Sequence, residues 1–93
     1  MPTATEEVPQ ELREKVEQQS WYHTIDIAPG LTTKGWFDLR EHVKHYRLPD
    51  DMTGMRVLDI GTWDGFWAFE MERRGADVVA LDVDHEEEYD WPP

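Results

Sequence analysis

Two short apolar runs, residues 56–60 and 77–81, bracket a glycine-bearing loop and one helical stretch, and no other feature of the chain restricts its fold as tightly. Arg56-Val57-Leu58-Asp59-Ile60 is β-branched and mostly apolar, the composition expected of a strand buried on both faces of a parallel sheet. Residues 61–65 then read as a loop. Residues 66–74 read as a helix, with Glu70 and Arg74 spaced as an i,i+4 pair and Gly75 as the C-terminal stop. Asp77-Val78-Val79-Ala80-Leu81 is the second strand. Two strands joined through a helix form a βαβ unit, for which a right-handed crossover is expected.

The segment before this unit is less regular. Val8, Leu12 and Val16 recur every four residues, which predicts an amphipathic helix over 6–19 with Pro9 in its first turn. Trp21-Tyr22-His23 opens an irregular stretch broken at Pro29-Gly30 and Lys34-Gly35. Leu39, Val43 and Tyr46 share a face at helical spacing and predict a second helix over 36–46, ended by Pro49. The expected class is therefore α/β: a β-α-β unit of a Rossmann-like sheet preceded by a helical extension. Residues 1–50 form that extension and 51–93 the incomplete unit. Two strands and one crossover helix are too few to finish a doubly wound sheet, so a truncated chain, or one completed by a partner or a second copy, is expected. Residues 84–93, acidic and ending Trp91-Pro92-Pro93, read as an exposed connection.

Charge and composition exclude several functions. Twenty-one acidic residues against nine basic ones give a net charge of -12, so this portion should repel nucleic acid, whose backbone is tracked by clustered Lys and Arg. There is no cysteine, hence no disulfide framework and no thiolate metal site, which suits the cytoplasm. The opening MPTATEEVPQ lacks a basic and an apolar region, so no secretory signal is expected. No apolar run approaches the roughly 20 residues needed to span a bilayer.

In open α/β sheets ligands sit beyond the carboxyl ends of the strands, near the loop that leaves the first one. Here that loop is Gly61-Thr62-Trp63-Asp64-Gly65, entered from Asp59-Ile60. Gly61 permits a sharp exit and Gly65 a close approach at the helix start. Asp82 closes the second strand, where an acid can accept hydrogen bonds from both ribose hydroxyls of a nucleoside. The dinucleotide pattern G-x-G-x-x-G needs glycine at 63 and 66, where Trp63 and Phe66 stand. Asp59 and Asp64 bracket the loop with negative charge, which opposes a diphosphate and favours a cation. S-adenosylmethionine, with its sulfonium and α-ammonium, fits better than NAD or FAD.

Val57 to Gly65, followed by Val79-Ala80-Leu81-Asp82, resembles the first two motifs of class I S-adenosylmethionine-dependent methyltransferases. Trp63 departs from that pattern, which usually has a glycine there. The resemblance implies that Asp59 and the backbone of 61–65, Thr62 included, hold the methionine end, that Asp82 holds the ribose, and that Val83 lies near the adenine. Trp21-Tyr22-His23-Thr24-Ile25 and Gly35-Trp36-Phe37-Asp38-Leu39-Arg40 are similar to a narrower group, related to the tRNA wobble-uridine carboxymethyltransferases. Relatives that use a carboxylated cofactor need a cation for the extra carboxylate, and Lys34 and Arg40 are the candidates.

Each sharp reading has a plainer one beside it. Asp59 can equally be a structural acceptor of backbone amides. Trp63 either walls the pocket or covers the loop. Trp21-Tyr22-His23 is either a lid or a packing element. Asp38, His42 and His45 imitate a metal-binding helix face, and Asp82, Asp84 and Glu86 to Glu88 a calcium loop, but neither set is complete, so no metal is expected. Catalytic residues and the acceptor are not identifiable. The competing functional reading is a non-catalytic interaction module.

Overall fold

A computed structural model describes residues 8–83, which group into two compact units divided between Arg40 and Glu41. The expected connection at 84–93, and the start of the expected first helix at residues 6 and 7, lie outside the described residues.

The first unit begins with α1, Gln10–Glu17. The helix starts later than the apolar spacing predicts. Pro9 takes the cap position with ψ 135°, an extended conformation, and the residue before a proline is itself disfavoured from helical geometry. An exposed Glu11–Lys15 ion pair at 3.3 Å runs along the outer face, while Val16 is buried.

Beyond α1 the first unit is built of β structure, where a helical extension was expected. Strand β1 (Trp21–His23) pairs in parallel with β4 (Gly35–Phe37), and β2 (Asp26–Ala28) pairs antiparallel with β3 (Leu31–Thr32). Pro29-Gly30 closes the β2–β3 hairpin, with Gly30 at φ 80° as the third position of a type II turn demands. Thr33 ties the two pairs together. Its buried hydroxyl accepts the Ile25 amide and donates to the His23 carbonyl, each at 2.7 Å. Gly35 lies against the His23 carbonyl group and the Thr24 nitrogen, so closely that a Cβ there would overlap backbone atoms.

The helix expected over 36–46 does not form. Its first residues belong to β4, and the chain then turns at Asp38. The Asp38 carboxylate accepts the Arg40 amide at 3.1 Å and the Arg40 guanidinium at 2.9 and 2.7 Å. Such local side-chain bonding competes with helical backbone bonds.

The second unit opens with a single 3-10 turn, Val43–Tyr46, ended by Arg47 in the left-handed region. Tyr46 meets the Trp67 ring at 4.6 Å between centroids. Strand β5 (Arg56–Ile60), helix α2 (Phe66–Arg73) and strand β6 (Asp77–Leu81) occupy the expected positions. β5 and β6 pair in parallel over their whole length, Leu58 with Val79 and Ile60 with Leu81. Arg74 closes the helix end: it donates to Glu70 at 2.9 Å and to the Leu48 and Pro49 carbonyls at 3.1 Å. The Met52 amide donates to the Arg74 carbonyl at 2.7 Å, and Met52 is buried at the same end.

The two strands are not buried on both faces, as their composition had predicted. Side chains alternate along a strand. Val57, Asp59 and Val78 are half-buried on the face that α2 packs against. On the opposite face Leu58 is 56% and Ile60 76% exposed, with Val79 and Leu81 beside them. Among the described residues of this unit no second helix covers that face. No helix among the described residues is long and apolar enough to cross a membrane.

A candidate cofactor loop between the parallel strands

The loop leaving β5 is laid across the end of β6 by its own amides. Gly61 and Thr62 both donate to the Leu81 carbonyl, at 2.8 and 3.1 Å. The next amide, Trp63, donates to Asp82 Oδ2 at 2.5 Å. Asp82 Oδ1 in turn accepts the Val83 amide at 2.7 Å. Gly65 then donates back to Thr62 at 2.9 Å and its carbonyl accepts the first helical bond of α2, from Phe69 at 2.8 Å. The acid that closes strand two therefore touches the tip of the loop.

Three residues of this loop carry positive φ: Gly61 at 75°, Trp63 at 56° and Gly65 at 89°. Gly65 has a double requirement, since a Cβ there would also lie 2.8 Å from the Phe69 ring. Trp63 is the informative one. A left-handed conformation costs an L-residue roughly 1–2 kcal/mol, and the position where methyltransferases of this resemblance have glycine retains here the backbone shape that glycine provides.

Two side-chain oxygens at the base of the loop are buried without a hydrogen-bond partner among the described residues, Asp59 Oδ2 and Thr62 Oγ1. Asp59 sits on the strand face that α2 covers, which accounts for its burial. Sequence reasoning named both residues but offered no sign that their oxygens would be enclosed and unsatisfied. That enclosure results from the packing of α2.

Asp59, Gly61, Thr62, Trp63, Gly65, Asp82 and Val83 thus all lie in one continuous arrangement within the second unit. Lys34 and Arg40 belong to the first unit. They differ in availability. The Arg40 guanidinium is held by Asp38 and by Asp26 at 3.0 Å, whereas Lys34 is exposed and makes no ion pair or hydrogen bond among the described residues. Among the described residues no three metal-ligating side chains cluster.

The arrangement is that of an α/β unit consistent with part of a Rossmann-like sheet, with the loop laid across the carboxyl ends of two parallel strands. Comparison with known proteins agrees with that class. Over 37 residues, 40% of the chain, it is 60% identical to a magnesium-protoporphyrin O-methyltransferase of Rhodobacter capsulatus. Over 60 residues, 64% of the chain, it is 35% identical to the biotin biosynthesis bifunctional protein BioHC of Cellvibrio japonicus. These matches cover 16% and 11% of the two relatives. No family model matches the chain, and no solved structure does.

Proposed function

We propose that the second unit is the cofactor-binding portion of an S-adenosylmethionine-dependent methyltransferase. The observation that carries this reading is the pair of enclosed, unpartnered oxygens, Asp59 Oδ2 and Thr62 Oγ1, at the base of the loop. A buried carboxylate oxygen without a donor is costly, and a ligand bearing N–H groups and positive charge removes that cost. The α-ammonium and sulfonium of S-adenosylmethionine have both properties. A diphosphate needs free amides instead. Here the Gly61, Thr62 and Trp63 amides already donate within the protein, which argues against a dinucleotide.

In this reading Asp59 and the backbone of 61–65, with Thr62, receive the methionine end, and Asp82 receives the ribose. A carboxylate offers about four acceptor positions, so Asp82 keeps capacity for ribose hydroxyls while it holds the Trp63 and Val83 amides. Val83 comes directly after and would border the adenine. The half-buried Trp63 ring supplies a wall. The bound cofactor supplies an electrophilic methyl group, and these residues contribute by fixing its position relative to an acceptor. The unmodified cofactor is preferred, since the Arg40 guanidinium is already engaged by Asp38 and Asp26. The resemblance to the tRNA wobble-uridine group adds no residue to this arrangement.

Methyl transfer itself is a proposal for the whole protein, because the chain spans so little of its relatives. No catalytic base is assigned, nor is an acceptor. The strong negative charge favours an acceptor other than nucleic acid for this portion. A second reading, an interaction module that pairs with a copy or a partner, is favoured by one observation: the open apolar face of Leu58, Ile60, Val79 and Leu81.

Titration calorimetry with S-adenosylmethionine and, separately, NAD tests the proposal. Saturable binding of the first alone, weakened about tenfold in Asp59→Asn by loss of one charge-assisted contact, is the expected result. Binding of NAD, or of neither by a folded chain, contradicts it.

A further inference from the structure

We infer that the first unit holds a second ligand site, a groove for a small aromatic carboxylate between helix α1 and the β2–β3 hairpin. The groove encloses about 630 Å³, within the range of small-molecule pockets, which runs from roughly 300 to 1,000 Å³. Its floor is apolar and well packed: Val16 is 8% and Leu31 3% exposed. Trp21 forms a wall, and its indole N–H donates to the Val16 carbonyl at 2.8 Å, so the ring is fixed before any ligand arrives. A flat apolar body has a surface to lie on.

The charged groups at this groove are Arg13, Lys34 and Glu17. In a chain of net charge -12, two cations against one acid is a local reversal of sign. Both cations retain donors. Among the described residues the Arg13 guanidinium makes one hydrogen bond, 3.5 Å to the Gly30 carbonyl, and leaves most of its five N–H groups unengaged there. Lys34 has no partner among the described residues. By contrast Arg40, in the same unit, is held by both Asp26 and Asp38. Glu17 and the surrounding acidity disfavour a dianion, and one carboxylate matches the fork of Arg13 with Lys34 beside it. The inference rests on the first unit alone and is independent of the cofactor reading.

Benzoate is the probe, added to the full chain and monitored by amide and indole NMR. Saturable shifts at the Trp21 indole N–H, Gly30 and Lys34 are expected, with a dissociation constant of about 1 mM for so small a ligand. Lys34→Gln, at an exposed position that leaves the fold intact, should weaken binding about tenfold, and so should Arg13→Gln. Benzyl alcohol tests the charge and inorganic phosphate the flat body; both should bind at least about tenfold more weakly. No saturation by benzoate, equal binding of either control, or an unchanged affinity in Lys34→Gln would each overturn the inference.

Discussion

The amide of Trp63 donates to the carboxylate of Asp82, nineteen positions later in the chain, and so latches the loop after β5 to the end of β6. The bond joins two elements that the sequence separates by a whole helix. It also gives Asp82 a structural duty beside the ribose contact proposed for it. Asp82→Asn keeps the size of the side chain but offers a single acceptor oxygen for the Trp63 and Val83 amides. It should lower the melting temperature measurably and also weaken S-adenosylmethionine binding, whereas Asp59→Asn should affect the ligand with little loss of stability. Thermal unfolding and calorimetry on the two variants separate the effects.

Trp63 stands at φ 56°. Replacing it by glycine or by alanine removes the same ring, so the comparison isolates the backbone. Trp63→Gly should be more stable than Trp63→Ala by about 1 kcal/mol, the reverse of the usual order, because only glycine occupies this region without strain. Denaturant unfolding of the two variants measures the difference.

Much of the second unit was legible because its signals are local. The apolar runs, the i,i+4 pair of Glu70 and Arg74, and the stop at Gly75 each lie within one element, and β5, α2 and β6 occupy the residues they indicate. The first unit misled for the opposite reason. Leu39, Val43 and Tyr46 do fall at helical spacing, yet residues 35–37 pair with Trp21 to His23, and that pairing leaves no periodic trace. Only Lys34-Gly35 hinted at it, since a glycine is required where β4 approaches the His23 carbonyl. At the site, the residue types were readable; the enclosure of Asp59 Oδ2 was not, because it depends on which strand face α2 covers.

Gly35 supplies the next test. Any Cβ at this position would overlap the backbone of His23 and Thr24, and neither can move as a flexible side chain would. Gly35→Ala should therefore cost about 2–3 kcal/mol, at the upper end of ordinary substitutions, and disrupt the β1–β4 pair first. Hydrogen exchange at the Thr24 amide, which donates to the Phe37 carbonyl at 2.9 Å, reports that local opening.

Glu70 gives the second unit an acid-sensitive tie. Partial burial works against its ionisation, but hydrogen bonds from Arg73 and Arg74 and their positive charges outweigh it and hold the carboxyl below its ordinary value of 4.5. A depressed carboxyl stabilises the fold fully above the unfolded value and loses that contribution as pH falls through the folded one. Stability should accordingly drop below about pH 4.5, and Glu70→Gln should flatten that part of the profile. Chemical denaturation across the acid range measures both curves.

The most direct test of the central claim is a titration of the chain with S-adenosylmethionine, observed at the amides of Gly61, Trp63, Gly65 and Val83. Concerted, saturable shifts at these four, abolished by Asp82→Ala, are what the account predicts. Undisturbed loop amides at saturating cofactor, or shifts confined to other residues, would contradict it.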